Sequence, residues 1–180
     1  MAPVETTWRE ALMMHSVARI ALHGSIGSIQ CSWVKLGLDG AAAVLITSRD
    51  YAQKHGLKPR ARIVATANVG DCPTLMLNAP VAAAKKVLAK AGLTPEDIDL
   101  WDISEAFAVV AEKFIRDLKL DRNKVNVNGG ACALGHPIGA TGSILIGTVL
   151  DELERRGLKR GLVTMCAAGG MAPAIIIERV

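Results

Sequence analysis

The sequence predicts an α/β domain, with helices layered on a sheet that is at least partly parallel. Three observations carry that expectation. Apolar stretches of strand length alternate with stretches of helical period. Aromatic residues are 3% of a chain that is 51% hydrophobic. The core must therefore be built from Ala, Val, Leu and Ile, which suits close helix-on-sheet layers. A third sign is GGACALGHPIGATG at 129–142, a glycine-rich segment between a strand-like and a long helix-like stretch. Loops at strand ends are where α/β sheets bind ligands.

Each element has its own signal. Thr7-Trp8-Arg9-Glu10 is a capping-box pattern and predicts a helix running to about Leu22. Residues 23–37 show no clear period. Ala41–Thr47 reads as a buried strand, and Ser48 caps a short helix through Lys54 that Gly56 stops. Arg62–Val69 alternates, with Ile63, Ala65, Ala67 and Val69 on one face. Pro80 opens a helix to about Lys90, closed by Gly92. Thr94-Pro95-Glu96-Asp97 predicts one short turn before a strand at Ile98–Ile103.

Glu105 to Leu118 reads as an amphipathic helix with Phe107, Val110, Ala111, Phe114 and Leu118 at helical spacing. Val125–Val127 is a short strand leading into the glycine segment. A long helix from about Ala140 to Arg156 follows, then strands at Leu162–Met165 and Ala174–Glu178.

Composition narrows the function. The net charge of +4 is mild and scattered, and the basic pairs Lys85-Lys86 and Arg155-Arg156 fall in helical stretches. Aromatic interleaving of the kind that single-stranded nucleic acid requires is absent, so no nucleic-acid partner is expected. No apolar run nears the roughly 20 residues of a membrane span. The N-terminus also lacks the basic-then-apolar order of a secretory signal. No membrane association and a cytoplasmic location are the expectations. The four cysteines, at 31, 72, 132 and 166, have no framework spacing and are expected as reduced thiols.

Chemistry concentrates in three segments, each just after an expected strand: Ser104-Glu105-Ala106-Phe107, Gly135-His136-Pro137 and Met165-Cys166-Ala167-Ala168-Gly169-Gly170. A cysteine with a histidine nearby can do thiol chemistry, because the imidazole takes the proton and the thiolate then acts as nucleophile or base. Glycine amides nearby could hold a developing oxyanion. Plainer readings stand beside these. Cys31 and Cys72 suit small buried apolar positions, and Glu105 suits a first-turn carboxylate. Cys132 lies four residues before His136, but no further pair completes a metal site, so no metal is expected. The glycines could cradle phosphate, yet no Walker lysine follows. Glycines that fold the backbone closely around His136 are the preferred reading.

Together these residues resemble the C-terminal half of a thiolase (acetyl-CoA acetyltransferase or 3-ketoacyl-CoA thiolase), from about Asp39 to Val180. Asp39-Gly40-Ala41-Ala42-Ala43 resembles a strand of that family, and Ser104-Glu105-Ala106-Phe107 its Asn-Glu-Ala-Phe motif. Val125–Gly130 leading to Gly135–Gly142 resembles its histidine signature, and Cys166–Gly170 its terminal Cys-x-Gly-Gly-Gly loop. The resemblance implies half of the layered thiolase fold, with helices on a mixed, mostly parallel sheet in a domain 38–180. Residues 1–37 resemble no part of the family.

It also implies roles. His136 would activate the nucleophilic cysteine, and Cys166 would be the acid/base cysteine. Ser104 and the amide of Ala168 would line oxyanion holes, and Ala106 and Phe107 the pantetheine path. Ser104 stands where the family has asparagine, a shorter side chain at that hole.

The implied reaction is acyl transfer, cleaving or forming 3-ketoacyl-CoA, with coenzyme A as substrate and no resident cofactor. The expected partners are acyl-CoA and either a second copy or an N-terminal thiolase half. The nucleophile's segment has no match here, so the chain is expected to be a truncated one, inactive alone. The alternative is a non-catalytic remnant or interaction module. An apolar face on the 105–118 helix is expected to be left exposed.

Overall fold

The computed structural model describes residues 30–34 and 38–180, with side chains from Ala41 onward. The expected helix at 7–22 lies outside the described residues. The chain divides into two compact units, one of residues 1–59 with 137–144 and the other of residues 60–136 with 145–180.

In the first unit, β1 (Gln30–Val34) pairs antiparallel with β2 (Leu38–Ala42). The strand expected at 41–47 is therefore earlier than predicted, and residues 43–48 carry no regular structure. Leu45 and Ile46 are exposed, so apolar composition alone did not make this stretch a core strand. Helix α1 (Arg49–Lys54) follows its cap as expected, with the Ser48 hydroxyl accepting from the Tyr51 amide at 3.1 Å.

The second unit is a three-layer sandwich. Its sheet has the order β3 (Ala61–Gly70), β6 (Met171–Arg179), β5 (Arg160–Thr164), β4 (Leu100–Ile103). The sheet is mixed, as expected, but its ladders are mostly antiparallel rather than mostly parallel. β6 is inserted between β3 and β5 and runs against both, and only β4 and β5 pair in parallel. Because β6 alone is reversed, β3, β4 and β5 share a direction and end at one edge. That edge carries all three chemistry-bearing loops or their neighbours.

Period-two alternation then sorts side chains between the layers. Ala65 and Ala67 of β3, Trp101 and Ile103 of β4, Leu162 of β5 and Ala174 and Ile176 of β6 face α2 (Ala79–Ala91) and α3 (Ala108–Leu118). Leu100, Val163 and Ile177 face α5 (Ile138–Arg156), meeting Leu145, Val149 and Leu153. Ile63 departs from its expected face. The register steps from Ile63↔Ile177 to Ala65↔Ile176, so Val64 is an extra residue. This bulge turns Val64 to the core and leaves Ile63 exposed.

Helix α2 ends on Gly92 at φ 66°, and the turn Pro95–Asp97 carries a full capping box, both as the sequence predicts. Helix α3 is shorter than expected. It starts at Ala108, after three extended or looped residues, and Phe107 is 60% exposed. The rest of its stripe is covered rather than left open. Val110, Ala111 and Phe114 are buried, and the Phe114 ring meets Trp101 edge-on at 5.8 Å. The domain's own sheet and α2 cover the face that was expected to need a partner.

Candidate functional site

The expected strand at 125–127 reduces to one bridge, Trp101↔Val125, and Asn126 shows why. Its φ of 47° is left-handed, which ends strand geometry. The side chain then takes over the ladder. Asn126 N–H donates to the Trp101 carbonyl at 2.8 Å, and the Ile103 amide donates to Asn126 Oδ1 at 2.7 Å. Asn126 Nδ2 donates back to the Ile103 carbonyl at 3.0 Å and to Glu105 Oε1 at 2.8 Å.

Glu105 is not a first-turn residue of α3. Its other oxygen, Oε2, accepts from the Cys132 amide at 3.1 Å. Cys132 lies in a single-turn helix, α4 (Ala131–Leu134), absent from the sequence expectations. Gly130 owes its missing side chain to Glu105. A Cβ on Gly130 would lie 2.2 Å from the Glu105 carboxyl carbon, so the carboxylate fills the space a side chain would need. The Gly135 amide donates to Ala131 O at 2.8 Å and closes the turn that delivers His136. His136 is half-buried, and loss of hydration pushes its imidazole below the ordinary value.

Ser104 and Cys166 sit at the same sheet edge. Ser104 follows β4 directly, and its amide donates to Thr164 O at 3.1 Å, extending the parallel ladder. Its side chain is buried, and its hydroxyl has no hydrogen-bond partner among the described residues. Such a group costs about 1–3 kcal/mol unless something else satisfies it. Cys166 follows β5 by two residues and is 7% exposed, packed among the residues under α2 and α3. Burial pushes its thiol above the ordinary value, more than the hydrogen bond from its own amide lowers it.

The loop after Cys166 is a tight hairpin. Ala167 and Met171 exchange hydrogen bonds at 2.7 and 3.3 Å, which sets Ala168, Gly169 and Gly170 at the tip. Gly170, at φ 77°, is wedged against the turn after β3. Its carbonyl accepts from the Asp71 amide at 2.8 Å, and a Cβ would come within 2.7 Å of two carbonyl oxygens there. Cys72, expected as a buried apolar residue, is exposed in that turn. Amides of Leu75 and Thr74 pull its thiol below the ordinary value. Ala106 is half-buried and Phe107 exposed beside the Ser104 loop.

One further acid was missed. Asp102 is 3% exposed in β4, and alternation turns it toward α5 with Leu100. It lines a small cleft with Asn128, Thr148 and Glu152, and its Oδ1 has no partner among the described residues. Burial, with a smaller contribution from the Glu105 charge, pushes it up to about 7. A lone carboxylate inside the apolar string LWDI was the available signal. Asn126 and Glu105 left a weaker one, since nothing local shows that two side chains 21 residues apart will bond.

The family model described as "Thiolase, C-terminal domain" matches residues 57–179. An acetyl-CoA acetyltransferase of Allochromatium vinosum is 48% identical over 141 residues, covering 78% of this chain and 36% of the relative. A steroid 3-ketoacyl-CoA thiolase of Mycobacterium tuberculosis is 50% identical over 141 residues, covering 78% and 35%. Among solved structures, human mitochondrial 3-ketoacyl-CoA thiolase superposes with a TM-score of 0.77 at 45% identity, over 79% of this chain and 36% of that one. The same enzyme in complex with CoA gives the same values. The chain thus spans little more than a third of the length of the relatives it matches. With more than half of its residues inside the family match and its sheet shared with solved members, it belongs to the thiolase family and carries that family's C-terminal domain.

Proposed function

We propose that this domain supplies the acid/base half of a thiolase-type acyl-transfer site acting on 3-ketoacyl-CoA or acetyl-CoA. The observation that carries the reading is Cys166, a buried thiol two residues past β5, at the end of the sheet where Ser104 follows β4. A thiol raised by burial keeps its proton near neutral pH, as a general acid must. It can give that proton to a departing carbanion and take one from an attacking thiol. His136, lowered by burial, is neutral at the same pH and fit to accept the proton of a nucleophilic thiol. The Ser104 hydroxyl and the Ala168 amide are the proposed oxyanion donors, with Ala106 and Phe107 along the pantetheine chain. The CoA complex of the human relative supports coenzyme A as the ligand, here as substrate and without a resident cofactor. No residue described here is assigned as the nucleophile, which this reading takes from an N-terminal thiolase half.

A chimera tests this. Residues 57–179 replace the matching part of the Allochromatium vinosum acetyl-CoA acetyltransferase, and acetoacetyl-CoA thiolysis is measured. Turnover should fall about 10²–10⁴-fold on Cys166→Ala, the usual worth of a general acid or base. Undiminished turnover in the folded variant refutes the assignment. A chimera that folds and binds CoA but never turns over favours the non-catalytic reading, for which the shorter Ser104 is the specific support.

A further inference from the structure

We propose that Glu105 is a positioning residue, its carboxylate clamping the glycine segment that carries His136 onto the end of β4. The chemistry of its two neighbours requires a carboxylate. Asn126 cannot rotate its amide, because Oδ1 accepts from the Ile103 amide at 2.7 Å and Nδ2 donates to the Ile103 carbonyl at 3.0 Å. A donor therefore always faces Glu105 Oε1, at 2.8 Å. Oε2 faces a second donor, the Cys132 amide, at 3.1 Å. A group that meets two donors must accept on both atoms. A carboxylate does, while a glutamine amide offers one oxygen and turns its NH₂ against a donor.

The fit around the carboxylate is close. A Cβ on Gly130 would stand 2.4 and 2.5 Å from its two oxygens. Any side chain there would force the carboxylate off both donors at once. The clamp then reaches His136 through short steps. The amides of Ala133 and Leu134 donate to Gly130 O, each at 3.0 Å, and Gly135 N–H donates to Ala131 O at 2.8 Å. Holding Cys132 holds α4, and α4 ends one residue before Gly135. Glu105 also neighbours Ser104, so one side chain sets the glycine segment against the sheet edge that bears Ser104 and Cys166. No substrate contact is assigned to Glu105.

The catalytic meaning of the clamp rests on the reading of His136 given above, but its test does not. In the ¹⁵N-labelled 180-residue chain, Glu105→Gln is compared with the parent by amide hydrogen exchange and by titration of the His136 imidazole nitrogens. Exchange at Cys132 should rise about tenfold or more, the scale of one lost hydrogen bond of ordinary strength. Leu162 and Val163, in the sheet, should not change. The His136 titration, held low by burial, should move up toward the ordinary imidazole value as the segment loosens.

Asn126→Asp, which keeps Glu105 but faces it with an acceptor, should reproduce both changes and carries the test if Glu105→Gln does not fold. The clamp is overturned if Cys132 exchange is unchanged in a folded variant, or if it rises while the His136 titration stays fixed. It is also overturned if both variants lose the sheet protection, since Glu105 would then be a core requirement and not a loop clamp. Failure of CoA binding alongside both expected changes would remove the functional reading and leave the clamp standing.

Discussion

Asp102→Asn should stabilise this protein at alkaline pH and leave it nearly unchanged in acid. Asp102 is buried in β4 against α5, has an Oδ1 with no partner among the described residues, and is pushed from 3.8 up to about 7, chiefly by burial. In the unfolded chain the same carboxyl titrates near its ordinary value. Between those two values the native state binds more protons than the unfolded state, so this group's contribution falls as pH rises. The stability is fully present below about pH 4 and is lost by about pH 7–8.

At about 1.4 kcal/mol per pKa unit, the gap amounts to at most ~4 kcal/mol. Asparagine keeps the shape of the neutral acid and cannot ionise. Urea unfolding followed by circular dichroism, at pH 4.5 and pH 8, isolates the effect, because every other titration is common to both proteins. The difference between Asn and Asp should be about 1 kcal/mol at pH 4.5 and should grow to about 2–4 kcal/mol at pH 8. A pH-independent difference, or one of opposite sign, would show that Asp102 is ionised in the fold and would refute the reasoning.

Two other outcomes follow from single contacts. Iodoacetamide at pH 7.5 should modify Cys72 before Cys132, because amides of Leu75 and Thr74 lower the first thiol. Lost hydration and the Glu105 charge raise the second, although Cys132 is exposed. Cys166, buried and raised, should be slowest of the three, and peptide mass mapping that finds it first would contradict its burial. Phe114→Ala should cost about 3–5 kcal/mol in urea unfolding, the range for a fully buried aromatic. A cost below about 1 kcal/mol would mean that α3 does not pack on Trp101 as described.

What the sequence made legible was whatever depends on local rules. Ser48, Gly92 and the Thr94–Asp97 box sit where capping chemistry puts them, and the long helix before Arg156 and the strands at 160 and 171 are near their expected bounds. The edge holding Ser104 and Cys166 was also legible, since both follow strands in a parallel pair. Sheet pairing was not. Nothing in the string MAPAIIIER says that it runs between β3 and β5, and that single insertion turns a parallel expectation into two antiparallel ladders. The β3 bulge hid for the same reason, because Ile63 and Val64 are equally apolar and only the partner strand decides which is inside. Glu105 and Asn126 were misread because their partners are tertiary. A glutamate after a strand and before a helix looks like a dipole partner until the backbone brings the Cys132 amide to it.

The clamp and the buried acid are neighbours, and that makes one further outcome quantitative. Asp102 is raised first by burial and second by the Glu105 charge, and both causes act in the same direction. Glu105→Gln removes the second and leaves the first, since Leu100, Val149 and the α5 face still cover Asp102. The Asp102 titration should therefore move down from about 7 but stay well above 3.8, by less than half of the original rise because the larger cause persists. Carboxyl ¹³C shifts of Asp102 across pH 4–9 measure it directly. The loss of stability with rising pH should then begin at the same pH, near the unfolded value, but finish earlier, with a smaller total. If the titration instead rises in Glu105→Gln, loosening of the loop has buried Asp102 more deeply. If it does not move at all, the two carboxyls do not sense each other across the end of β4, and the geometry that puts Glu105 back over the sheet is wrong.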